Sequence, residues 1–214
     1  MTKQTVKIFM LKKSINISST KLAATVFLLF FVAGILQSCR ESFTPRPYGF
    51  YRVYIPAPEY TFVSFPNLPY GFEMSQLAKI VFRDSPDEVY WIDIVYPTLN
   101  AIIHGSYFEI NDNFFELTED ARRFAYAHIR LADDLRAPFF YHPERSVFGI
   151  LYDIRGNVAS SVQFFLTDSV RHFFRGALYF YHTPNKDSIA PMLDYIRNDI
   201  IHLMETFEWK EVTR

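Results

Sequence analysis

The chain has 214 residues, half of them apolar and 21% charged, with a formal charge of −1 and one cysteine. That apolar share is enough to bury a core, so extended disorder is excluded over most of the length. The single cysteine rules out a disulfide framework or a Cys-rich zinc site, and the near-zero balance argues against nucleic acid as a partner. Aromatic content is high, with 23 Phe, 14 Tyr and 2 Trp.

From Met1 to Ser38 the chain carries Lys3, Lys7, Lys12, Lys13 and Lys21, no acid, and the apolar run Leu22 to Leu36. This run is shorter than the ~20 residues that span a hydrocarbon core and suits the apolar region of a signal peptide. It ends in Leu36-Gln37-Ser38-Cys39, the pattern of a bacterial lipobox, with a branched apolar residue three places before the cysteine and a small residue beside it. The resemblance to a lipobox implies acylation of Cys39 and cleavage before it; the plainer alternative is an uncleaved anchor with a chance cysteine. Without residues 1–38 the remaining 176 residues hold 17 basic and 23 acidic side chains, a formal charge of −6.

Arg40 to Tyr48 contains Pro45 and Pro47 and is expected to be an extended tether, reaching at most ~30 Å. Residues 49–214 show no repeat or second composition break and are expected to form one globular domain.

Strands are expected at Phe50–Ile55, Tyr70–Met74 and Lys79–Phe82. Glu88–Tyr96 alternates clearly, with Val89, Trp91, Asp93 and Val95 on one face and Tyr90, Ile92, Ile94 and Tyr96 on the other. Ala101–Ile110 is expected to pair with it as a hairpin. The period then changes. After Thr118, read as an N-cap, Ala121, Phe124, Ala125, His128, Leu131, Ala132 and Leu135 recur at helical spacing and predict a helix of about five turns. Val147–Ile154, Val158–Leu166 and Arg171–Tyr181 read as three strands joined by turns at Arg155–Asn157 and Thr167–Ser169. The middle one is apolar on both faces and therefore central. A last helix, capped near Asp187 or Ser188, is expected to bury Ile189, Met192, Leu193, Ile196, Ile200, Leu203, Met204 and Phe207. The fold class is α+β: a mainly antiparallel sheet packed against two long helices, with an arrangement similar to Mog1/PsbP-like domains.

No phosphate loop, HExxH or GxSxG is present. The histidines at 104, 128, 142, 172, 182 and 202 make no metal-ligand spacing, so neither a metal nor a cofactor is expected. His128 reads as a core histidine, and His202 as a surface partner of Asp199 three residues earlier. Ser160, Ser161, Asp168 and His172 around one hairpin are the residue types that acyl transfer uses, although two mid-strand serines and a turn aspartate read more simply as packing and turn residues. Arg171, His172 and Arg175 form a local basic strand, either a solvated face or a candidate partner surface. Tyr179, Tyr181 and Phe139-Phe140-Tyr141 are expected in the core rather than on a binding platform.

Several segments are together distinctive: PRPYGFYRVYIP (45–56), WIDIVYPTLNAIIHGSY (91–107), Ala127-His128, and the long block from Gly156 to Lys210. With Cys39 they make the chain resemble the gliding motility lipoprotein GldD family of the Bacteroidetes. The resemblance implies a cell-envelope lipoprotein required for gliding and linked to type IX secretion, facing the periplasm from the outer membrane, with no catalytic residues. Its implied partners are the bilayer, through acylated Cys39, and other envelope proteins of the gliding and secretion machinery. An envelope hydrolase and a small-ligand or lipid binder remain the alternatives.

Overall fold

The structure, a computed structural model, describes residues 21–28, 55–86, 88–181 and 186–211. The chain falls into two units, Met1–Gly49 and Phe50–Arg214. In the first, residues 21–28 are helical (α1). Cys39, the tether and most of the expected strand at Phe50–Ile55 lie outside the described residues. No helix among the described residues is long and apolar enough to cross a membrane.

The second unit is α+β. Its strands are β1 (Tyr60–Ser64), β2 (Tyr70–Ser75), β3 (Lys79–Phe82), β4 (Ile92–Tyr96), β5 (Ala101–Glu109), β6 (Ala132–Arg136), β7 (Phe139–His142), β8 (Val147–Gly156), β9 (Val162–Thr167), β10 (His172–Phe180) and β11 (Glu208–Trp209); its helices are α2 (Phe114–Tyr126) and α3 (Lys186–Thr206). An eight-stranded sheet runs β3-β4-β5-β10-β9-β8-β6, with β7 also on β8, and a three-stranded sheet runs β1-β2-β11. Every pairing is antiparallel.

Side-chain alternation sorts the large sheet into two faces. Ile92, Ile94, Tyr96, Phe164, Leu166, Phe174 and Leu178 point to one, where Ile196, Ile200, Leu203 and Met204 of α3 and Tyr70 and Phe72 of β2 cover them. Phe165, Phe173, Tyr152 and Ile154 point to the other and meet Ala121 and Ala125 of α2. The expected central strand is β9, every residue of which is buried, but it begins at Val162 rather than Val158, because β8 runs on to Gly156 and the connection falls at residues 157–161 instead of Arg155–Asn157. The expected β4–β5 hairpin forms over a tight 3-10 turn at Pro97–Leu99, with Asn100 left-handed at φ 48°.

Other expectations are corrected. Two long helices are not found: α3 has 21 residues, but α2 has 13. Thr118 lies inside α2 and bonds back to the Phe115 carbonyl instead of capping. The periodic positions beyond Tyr126 do not extend the helix, because Leu135 pairs with Ile154 across β6–β8, and the sheet edge outweighs local spacing. Asp187 and Ser188 fall inside α3, which begins at Lys186. β4 starts only at Ile92, since a turn from Glu88 to Trp91 precedes it. Short strands β1, β6, β7 and β11 carry too few alternating residues to stand out. Phe139, Tyr141 and Tyr181 are 86%, 72% and 65% exposed and are not core.

Polar groups also fasten α3. Asp199 is buried and accepts hydrogen bonds from the hydroxyls of Tyr60 (2.9 Å) and Tyr96 (3.1 Å). Burial pushes its carboxyl above the usual aspartate range, against the lowering effect of those bonds. His202 is therefore not a surface partner of Asp199: its Nε2 meets Glu73 Oε2 at 2.6 Å and its ring stacks on Tyr60 at 3.7 Å.

Candidate functional site

One end of the large sheet carries a cleft of about 360 Å³, built where β5 ends, β10 begins and β11 crosses beside the turn before β8. Its volume lies at the lower end of ligand-pocket sizes. The register His172↔Glu109 sets β5 and β10 side by side, so Tyr107 and His172 share a face diagonally. The Tyr107 hydroxyl lies 2.6 Å from His172 Nδ1. Trp209 lies parallel to the His172 ring, centroids 5.0 Å apart and planes 14° apart.

The walls are pinned to one another. Trp209 Nε1 donates to the Ser146 carbonyl (3.1 Å), the Lys210 amide to the Pro69 carbonyl (2.8 Å) and Arg145 Nη1 to the Thr206 carbonyl (2.7 Å). Arg171 pairs with Glu211 at 3.4 Å on the open rim. Charges of both signs line the opening: Arg145, Arg171 and Lys210 against Glu109, Asp168 and Glu211. Burial holds the His172 imidazole below its usual value, so it is neutral near pH 7; the nearby carboxylates, Asp168 first, oppose that shift. The imidazole, stacked on the indole and bonded to the phenol, makes a fixed aromatic floor.

Asp168 belongs to the turn. Its Oδ1 accepts the amides of Val170 (3.0 Å), Arg171 (2.8 Å) and His172 (2.8 Å), while Ser169 takes a left-handed φ of 65°. Burial alone would raise its carboxyl, but the three amides outweigh that and hold it below the usual range. Asp168→Ala is expected to cost about 1–2 kcal/mol by leaving these amides without their acceptor, measured by denaturant unfolding at pH 7. A carboxyl held low contributes fully above the ordinary aspartate range of about 4 and loses its contribution as pH falls further, so variant and parent should converge in stability in acid.

The other expected site residues are dispersed. Ser160 and Ser161 are buried in the loop before β9, with Ser160 Oγ 3.5 Å from the Val162 carbonyl. The whole of β9, about 20 Å at ~3.3 Å per residue, separates them from Asp168 and His172, and the acyl-transfer grouping does not assemble. Arg171, His172 and Arg175 do not form one surface either. Arg171 is an exposed turn residue and His172 faces the cleft, while Arg175 points to the opposite face and lies over Phe124, 4.5 Å from its centroid, and Phe108. His128 sits in the turn after α2, half-buried, where burial lowers its pKa.

Sequence reasoning missed the cleft because it joins residues from six separated segments. The one local signal was the tryptophan in the tail after α3. It also missed a carboxylate–imidazole pair on the opposite face: the register Asp93↔His104 brings Asp93 Oδ1 within 2.7 Å of His104 Nδ1, and Arg83 bonds the same oxygen at 3.0 Å. Among the described residues no three His, Cys, Asp or Glu groups gather as a metal site.

Comparison with known proteins gives one strong match. No curated protein matches the chain. A solved structure, described as the solution structure of cyanobacterial PsbP (CyanoP) from Synechocystis sp. PCC 6803, is similar at 12% identity and a TM-score of 0.42, covering 72% of this chain and 95% of that one. The profile of the gliding motility lipoprotein GldD family matches residues 40–209, which takes in every strand of the folded unit and all of the cleft except Lys210 and Glu211. On that match the chain belongs to the gliding motility lipoprotein GldD family.

Proposed function

We propose that this lipoprotein is a non-catalytic assembly or stabilising component of the gliding and type IX secretion machinery, acylated at Cys39 and held on the periplasmic face of the outer membrane. Its folded domain receives a segment of another envelope protein in the Trp209–His172–Tyr107 cleft. The family match supports the gliding and lipoprotein parts of this reading. The cleft carries the rest: its aromatic floor is fixed by hydrogen bonds and stacking, and its rim offers exposed charges of both signs. A preorganised floor with a polar rim is the anatomy of a protein-recognition site, where aromatic anchors supply most of the energy. The separation of Ser160 and Ser161 from His172 supports a binding role over acyl transfer.

Arg171→Glu combined with Lys210→Glu reverses rim charge with little burial at stake, so stability should stay within about 0.5 kcal/mol. The variant lipoprotein is expected to accumulate normally, to lose gliding, and to recover several-fold less of its envelope partners in affinity capture. Normal gliding and unchanged capture would place the contact elsewhere.

A further inference from the structure

The second face of the large sheet carries a groove of about 350 Å³ between α2 and the β7–β8 hairpin, unconnected with the cleft's aromatic floor. Its inner wall is apolar, including Phe148, Ile150 and Phe165. The rim is unusual. Phe139 on one wall is 86% exposed, and Tyr141, whose ring lies 5.3 Å from Phe148, is 72% exposed. On the other wall Thr118, Glu119 and Arg122 line the groove, so Phe115, at i−3 from Thr118, lies on the same helix face; it is 78% exposed. Val170, beside the lining residue Ser169, is 69% exposed. Four large apolar side chains thus protrude around one groove mouth.

The register explains why they cannot retreat. Phe139↔Ile150 and Tyr141↔Phe148 keep both rings on the α2 side of the sheet, but α2 is only 13 residues long and its small Ala121 and Ala125 pack against β8–β10. The rings project beyond the part that α2 covers. Exposed aromatic groups of this kind mark contact surfaces.

We propose that this rim is a bilayer-contact surface: Phe115, Phe139, Tyr141 and Val170 insert at the headgroup–acyl boundary and set the orientation of the domain on the membrane. The inference rests on Cys39 being acylated. The chain from Cys39 to Ile55 spans at most about 55 Å even fully extended, at ~3.4 Å per residue. A bilayer is therefore always within reach of the tethered domain, and its contact with the domain is effectively intramolecular. Under that condition even a weak apolar contact is occupied. Phe and Tyr rings suit the interface, where one end of a side chain is dry and the other wet. The charged side chains that line the groove, Glu119 and Arg122, are of opposite sign and pair with each other, so the contact is apolar in origin and insensitive to salt. Leu131, which is equally exposed, lies at the opposite end of the sheet beside Asp133 and Asp134, carboxylates that resist approach to hydrocarbon.

The test places a photo-reactive benzoylphenylalanine at Phe139, at Tyr141 and, as controls, at Leu131 and Tyr181 in the full lipoprotein, reconstituted in phosphatidylethanolamine–phosphatidylglycerol vesicles. Mass spectrometry of the N-terminal peptide first establishes acylation of Cys39. With Cys39 acylated, phospholipid adducts at 139 and 141 at least five-fold above those at 131 and 181, unchanged between 0.05 M and 0.5 M salt, are expected. Equal labelling at all four positions, or none, overturns the proposal, as do native-envelope preparations that yield protein adducts at 139 and 141 in place of lipid. An unacylated Cys39 overturns the anchoring reading itself, and that result is read from a different peptide.

Discussion

Phe207→Ala is expected to destabilise the folded domain by about 3–5 kcal/mol. Phe207 follows the last turn of α3, is fully buried, and stands at the junction of three elements. Its ring centroid lies 5.6 Å from that of Tyr70, 6.0 Å from Phe72, 5.4 Å from Phe174 and 4.8 Å from Trp209. Truncation removes the transfer energy of the ring and leaves a cavity that flat, close-packed neighbours cannot collapse into. It also frees β11, whose two residues pair with β2 and carry Trp209 into the cleft. Denaturant unfolding should show a lowered midpoint, and the fluorescence of Trp209 should change before global unfolding. A loss under 1 kcal/mol would contradict the placement of Phe207 as the junction of helix, small sheet and large sheet.

Gly149→Ala should be nearly as severe, at about 3 kcal/mol or more, through the opposite mechanism of overpacking. Gly149 lies in β8 with Leu166 as its partner across β9, and a Cβ there would stand 1.9 Å from the Phe165 carbonyl oxygen. The obstacle is backbone in a fully buried strand, so it cannot rotate away as a side-chain end would. The strands must separate and the ladder that carries both cores must shift. Gly176→Ala is the informative contrast, because the atoms it meets belong to the Phe164 ring. That ring is itself 1% exposed and has little room to give. Thermal unfolding of the two variants should rank Gly149→Ala as the more damaging, and equal stability with the parent would contradict the β8–β9 register.

How far the fold can be read from sequence follows from how each element is stabilised. β9 and the buried stripe of α3 were legible because burial acts on every position of the strand and on a regular set of helix positions. The β4–β5 and β9–β10 hairpins were legible because turn residues mark them, whereas the β8–β9 turn was misplaced, since β8 runs on through Arg155 and Gly156. β6 and β7 were not, since their exposed edge residues carry no alternation, and Ala132 and Leu135 happen to continue the spacing of α2. The length of α2 was misread for the same reason: a helix period persists past Tyr126, but pairing with β8 satisfies that backbone better. The cleft was the least legible part. Tyr107, His172 and Trp209 lie 37 or more positions apart in sequence, and only strand register and the return of β11 bring them together. The basic triplet Arg171, His172 and Arg175 shows the converse error, because sequence proximity ignored the alternation that sends Arg175 to the other face.

The central claim is that the Trp209–His172–Tyr107 cleft holds another protein of the envelope machinery. It is tested most directly by cross-linking in gliding cells, from a photo-reactive residue at Arg171 on the cleft rim of the native lipoprotein, with the same probe at Tyr181 at the far end of β10 as reference. A recurrent adduct from position 171 with a motility or type IX secretion protein, weakened several-fold by Lys210→Glu and absent from position 181, is the predicted result. A cleft probe that yields no protein adduct in cells that glide normally would contradict the account.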